Sequence, residues 1–294
     1  MLKQIYFVSI AALCIACNSS TDTAKENEQT KQQLSKTAPA SLESFADSLV
    51  RLDKYEPENI EKAAYYFQQL VPSDSALADS AAVLFLNFAW SISDTTNQKL
   101  LKDTTDYMDL VYPGGNSPTE KQKAFQQSMK RNHLNIQGNG EGDVLAVLDY
   151  KWLNNILQPK TSSAVDDYLS LLATEETEPA LQDAALAVEI KELISRLILT
   201  EALSAQQLPA NFADNNRKKN KFYIDVLLLG SNNTPSLEEE ASMKLTTEFK
   251  QGYDYLLAAY PASKAAEKLK EWLAILKAKD RKKIEEMRAS AFQE

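Results

Sequence analysis

The sequence predicts an all-α body, an irregular bundle of antiparallel helical hairpins, with a solenoid-like stack of such hairpins as the alternative. Three observations carry this. From Pro39 onward apolar residues recur with the 3.6-residue period of a helix and hardly anywhere with the strict alternation of a strand. Helix-start chemistry recurs at Ser117 with Pro118 and Glu120, at Ser163 with Asp166, and at Ser236 with Glu239. Two segments, Ile60 to Val71 before Pro72 and Phe249 to Tyr260 before Pro261, each read as a helix, a proline turn and a second helix.

At the N-terminus, Met1, Leu2 and the single cation Lys3 precede a run from Ile5 to Ala16 that is apolar apart from Ser9. That is the layout of a secretory signal. It is too short to cross a bilayer, which takes roughly 20 apolar residues. The run ends in Ile15-Ala16-Cys17, which resembles the lipobox of bacterial lipoproteins. The resemblance implies that residues 1–16 are removed and that Cys17 becomes the mature N-terminus, thioether-linked to diacylglycerol and acylated. The sequence departs from the motif three residues before the cysteine, where Cys14 stands in place of the usual leucine. Asn18 after the cysteine implies sorting to the outer membrane, facing the periplasm by default, while Asp22 is a weak version of the acidic tract that marks surface export.

Cleavage after Ala16 takes 16 of the 294 residues and leaves 278, ample for a hydrophobic core. Cys14 leaves with the signal, so no internal disulfide remains. Loss of Lys3 sets 31 basic against 41 acidic side chains, a net charge of −10 that excludes nucleic acid as a partner. Residues 17–41 read as the lipidated cysteine and a flexible tether, in which Leu34 is the only large apolar side chain. Residues 42–291 read as a single helical domain.

Within that domain the run Ala81 to Ile92 is apolar almost all round, with Phe85, Phe88 and Trp90, and its length predicts a buried core helix. The clearest helix is predicted from Pro179 to Leu203, with Leu186, Ile190, Leu193, Ile194 and Leu197 on one stripe and Glu189, Lys191, Glu192 and Arg196 opposite. After Leu227-Leu228-Leu229, Gly230 is expected to take a left-handed conformation that ends one helix, with Thr234 or Ser236 capping the next. Tyr253, Tyr255, Leu256 and Tyr260-Pro261 followed by Ala265 and Ala266 resemble a tetratricopeptide-type hairpin. Stacked solenoids need about three adjacent repeats, and here two such units lie far apart. Taken with Gly230 to Pro235, this last quarter of the chain resembles helical lipoproteins of the Bacteroidota that lack an assigned function, which implies an exported helical protein and no chemistry.

Candidate chemistry is sparse. His133 is the only histidine, and without a second histidine, a free thiol or ligand spacing, neither a zinc site nor a cysteine nucleophile is expected. There is no Gly-x-Ser-x-Gly turn, so His133 is expected near a helix end as an ordinary polar residue. The loop from Asn135 to Asp143 holds three of the seven glycines and offers oxygen ligands at Asn135, Gln137, Asn139 and Asp143. It reads as a hairpin-like loop leading into a helix near Asp143, or as a calcium or small-ligand loop whose twelfth position is Ala146 in place of glutamate. No metal or cofactor is assigned.

Basic residues cluster at Arg217-Lys218-Lys219-Asn220-Lys221 and from Lys264 to the C-terminus, where nine cations face six anions. They read as solvated faces or as contacts for anionic headgroups. Tyr65, Tyr66, Phe67, Trp152 and Trp272 read as core, with stacking on a glycan as the alternative. The expectation is a lipid-anchored envelope interaction or scaffold protein with an envelope protein or glycan as partner. The alternatives are a carboxylate-dependent glycan hydrolase and a glycan or small-molecule binding module.

Overall fold

The computed structural model describes residues 39, 41–70, 74–103, 105–112, 117–138, 143–239 and 243–291. The expected leader 1–16, Cys17, most of the expected tether and Asn139 lie outside the described residues. The body is helical: among the described residues there are eleven α-helices and three short antiparallel strand pairs. The strand pairs occupy places the sequence reads as loop or helix.

The first half builds one apolar core. Helix α1 (Leu42–Val50) starts at a capping box between Ser41 and Ser44. Helices α2 (Asn59–Gln69) and α3 (Ser75–Leu100) pack on each other, with Asp74 capping α3 through the Leu77 amide, while Pro72 between them lies outside the described residues. The 26-residue α3 is long and apolar enough to cross a membrane by composition. Its Ala81, Phe85, Leu86, Ala89 and Ile92 are instead fully buried, as the all-round apolar pattern predicts. Phe45, Phe67, Phe85 and Trp152 succeed one another through this core at ring separations of 6.1 to 6.4 Å.

Helix α4 (Glu120–Arg131) follows a 3-10 turn at Met108–Leu110. Its cap is Thr119, in a reciprocal box with Gln122, two residues beyond the expected Ser117. The pattern of a hydroxyl with Glu or Gln three residues on fits Thr119 with Gln122 as well as Ser117 with Glu120, and the local hydrogen bonds choose Thr119. His133 takes a left-handed conformation at φ 58° and turns the chain out of α4.

Strands β1 (Leu134–Gly138) and β2 (Val144–Leu148) then pair antiparallel, Leu134 against Leu148 and Gly138 against Val144. The hairpin-like reading of this loop holds, while the helix expected near Asp143 does not. A five-residue apolar run is ambiguous between strand and buried helix, and α5 (Tyr150–Leu157) begins only after Asp149 caps it. Helix α6 (Ser163–Thr177) is capped by Ser162, one residue before the expected Ser163.

The second half builds a separate core. The predicted helix from Pro179 is corrected: Leu181–Gln182 (β3) and Ala185–Leu186 (β4) form a hairpin, and helix α7 spans Ile190–Ser204. Asp183 and Ala184 at the turn have φ of 49° and 55°, a mirror-image turn that a helix cannot contain. The stripe Ile190, Leu193, Ile194 and Leu197 is buried as expected.

Helix α8 (Ala210–Leu229) ends at Gly230 with φ 77°, where a Cβ would lie 2.4 Å from the Thr234 carbonyl oxygen. Neither Thr234 nor Ser236 caps a helix. The Thr234 hydroxyl accepts from the Leu186 amide, and Ser236 leads into β5 (Leu237–Glu239), which pairs with β6 (Lys244–Leu245). Thr246 caps α9 (Thr247–Ala259) and Ser263 caps α10 (Lys264–Ala278), giving the proline-turn hairpin expected at Pro261. Helix α11 (Arg281–Ser290) closes the chain.

The α7–α8 hairpin joins the two cores. Its open end, through Leu193, Leu197, Tyr223 and Leu227, packs in the second core, while Leu203 and Phe212 near its tip pack in the first. Between them lies a polar seam. Asn216 donates to the Thr200 carbonyl at 2.9 Å, and Asn220 donates to the Thr200 hydroxyl at 2.9 Å.

Candidate functional site

Where the two cores meet, the chain leaves a cleft of about 540 Å³. One wall is the β1 segment Ile136 to Gly138 with Leu110 to Tyr112, and the other is the end of α6 followed by β3 and its turn. Gly138 lets the Tyr112 ring lie close against this wall: a Cβ there would fall 2.3 Å from the Tyr112 hydroxyl and the ring would have to shift.

Two adjacent carboxylates on α6 line the cleft, and neighbouring groups bind both. Glu175 Oε1 accepts from Arg196 Nη1 at 2.7 Å and from the Tyr223 hydroxyl at 2.6 Å. Arg196, only 3 % exposed, also donates to Glu192 at 2.8 Å and to the Glu178 carbonyl at 2.7 Å. Burial first, and then Glu175, pushes the Tyr223 hydroxyl pKa up, so it stays a donor. Burial pulls the Lys219 ammonium down, against the attraction of Glu175.

Glu176 Oε1 accepts from Asn135 Nδ2 at 2.5 Å and Oε2 from the Tyr150 amide at 2.8 Å. Burial holds its carboxyl above the usual carboxylate range, while those two hydrogen bonds oppose the shift. Gln137 donates to the Glu176 carbonyl at 3.2 Å. Asn135 and Gln137, one strand period apart, are therefore the fastening of β1 to the end of α6.

The strand thus places Asn135 and Gln137 on one face, and Asp143 stands at the start of β2 on the far arm of the hairpin. Among the described residues no group of three or more His, Cys, Asp or Glu side chains is placed to hold a metal ion. His133 stacks on Trp152 at 3.6 Å with the rings 5° from parallel, and burial lowers its pKa. The basic run on α8 is divided: Arg217 pairs with Asp214 and Lys221 with Asp225, while Lys219 is half-buried. Trp272 and Phe67 are core residues, and Tyr65 and Tyr66 meet edge to face.

Compared with protein-family models, with curated proteins and with solved structures, the chain matches none. The site is therefore described from its own geometry alone.

Sequence reasoning missed Glu175, Glu176 and Tyr223, and it placed Arg196 on the solvent side of α7. The signal was present: Arg196 lies three residues after Leu193 and directly before Leu197, within an apolar stretch that both flanks of the helix bury. Asn97 on α3 was missed as well. Its side chain accepts from the Ala146 amide at 2.7 Å and donates to the Ala146 carbonyl at 3.2 Å, so it completes the outer edge of β2.

Proposed function

We propose that this chain is a lipid-anchored envelope protein that binds a partner in the cleft between its two cores and performs no chemistry there. The observation that carries this reading is the state of the cleft carboxylates. Both oxygens of Glu176 and both oxygens of Glu175 accept from internal donors, the second Glu175 oxygen from the Ala180 amide at 3.4 Å. A glycoside hydrolase needs two carboxyl groups free to face the scissile bond, one as acid and one as base or nucleophile. The tether and the lipid on Cys17 would hold the body at the outer membrane while leaving the cleft accessible.

Two experiments test the parts separately. Labelled fatty acid should enter the native protein and be lost in Cys17→Ala; label retained in that variant overturns the anchor. A photo-crosslinking residue at the exposed Gln182 should trap a discrete species in the native envelope. If the purified full chain instead releases envelope glycan fragments, and Glu176→Gln abolishes that release, the binding reading fails in favour of a hydrolase.

A further inference from the structure

The registers of two hairpins place unspent main-chain groups in this cleft. In an antiparallel pair, opposed residues alternate between exchanging hydrogen bonds and pointing both N–H and C=O outward. Ala146 points outward, because Asn97 binds both its amide and its carbonyl. Its partner across the hairpin is Ile136, so the N–H and C=O of Ile136 point outward on the opposite edge, that of β1.

The same logic applies to β3. Ala187 donates to Ala180 across that hairpin, and Leu186 sends its amide outward to Thr234. Leu181, the partner of Leu186, therefore also points its N–H and C=O outward. Ile136 and Leu181 both line the cleft. Among the described residues nothing hydrogen-bonds to the outward main-chain groups of either.

Such an edge is a template for another strand. The lining also has a sign: it holds Glu175, Glu176 and Asp183 and neither lysine nor arginine. Glu175 is balanced by Arg196, which leaves Glu176 and the exposed Asp183 to set the local field. Resting on the reading of this cleft as the partner site, we propose that its occupant is an extended polypeptide segment carrying a basic side chain. The segment adds as a strand along β1 at Ile136, meets β3 at Leu181, and places its cation toward Asp183.

The test uses the lipidated full chain in detergent micelles and a displayed library of random heptapeptides. In the free protein the Ile136 and Leu181 amides should exchange with solvent about tenfold or more faster than the inward-facing Asn135 and Gln137 amides. Selected peptides should be rich in lysine or arginine and in β-branched residues. They should slow exchange at Ile136 and Leu181 about tenfold and lose that effect when their alternate amides are N-methylated. Asp183→Asn, which suits the left-handed turn position, should weaken them about threefold or more and flatten their salt dependence.

Ile136 already as slow as its neighbours overturns the proposal, as does selection of acidic peptides or of none. Faster exchange at Ile136 after deletion of residues 18–38 also overturns it, because the chain's own tether would then be the occupant. A crosslinker at Gln182 separates the two readings. If it traps a glycan, the cleft remains the partner site and only the peptide inference fails; if it traps nothing, both fail.

Discussion

The two cores are of similar size and are fastened in different ways. In the first, long-range side chains bind main-chain groups of distant segments. Asn97 and Ser93 hold Ala146 of β2, and Lys160 donates to the carbonyls of Phe67, Gln68 and Leu70 at the end of α2. In the second, the groups that distant side chains bind are the main-chain ends of helices. Glu201 on α7 accepts from the Lys264 and Ala265 amides that open α10, and the Tyr253 hydroxyl donates to the Leu227 and Leu228 carbonyls that end α8. The first core holds a strand pair of five residues a side, whereas the second holds only pairs of two or three residues and is otherwise built of helices, which satisfy their own main chain except at the termini. The cleft opens where these two schemes abut, and a buried ion pair there joins α6 of the first half to α7 of the second.

That contrast can be broken at its seam first. Arg196→Leu removes the cation that holds Glu175 and Glu178 while leaving the Glu175 carboxylate in place, and should cost about 3–5 kcal/mol. Denaturant unfolding followed at Trp152 and Trp272 should then separate into two transitions; a single transition at wild-type stability would mean that the seam does not couple the cores.

A smaller effect is expected within the first core alone. Asn97→Ala strands the outward amide of Ala146, while its carbonyl keeps the Ser93 hydroxyl, and should cost about 1–3 kcal/mol. Hydrogen exchange at Ala146 should quicken while amides of α9 and α10 keep their protection. Equal loosening of both halves would erase the distinction.

The smallest effect is a pH slope. Burial lowers the folded pKa of His133 below the ordinary value of 6.5. The native state therefore binds fewer protons than the unfolded chain, so this contribution is present above about pH 6.5 and is lost as pH falls below it. His133→Phe retains a ring against Trp152 and should have a flatter stability profile than the wild type between pH 7 and 5; parallel profiles would place the titration elsewhere.

Helix content, the buried α3 and the proline-turn hairpin at Pro261 were legible, because a 3.6-residue apolar period and local caps are properties of neighbouring residues. Cap positions slipped by one or two residues at Ser117 and Ser163, where several adjacent side chains could make the same bond. The strands were hidden for a different reason. Val144 to Leu148 has no alternation to read, and Pro179 to Leu186 continues the apolar spacing of the helix that follows it. The site was less legible still. Glu175 and Glu176 look like any acidic pair on α6, and only the folded chain brings Arg196 to one and Asn135 to the other.

The sequence by itself determined a chain with too few thiols and imidazoles for most metal and nucleophile chemistry, and a helical body. Both depend on composition or on neighbours a few residues apart. Tertiary structure alone decided that the helices divide between two cores, that Arg196 is buried, and that Ile136 and Leu181 line one cleft. These depend on register and on contacts between segments distant in the chain: a strand's outward edge is set by what binds the other side of its hairpin, and Asn97 and Ala146, which set it here, lie far apart in sequence.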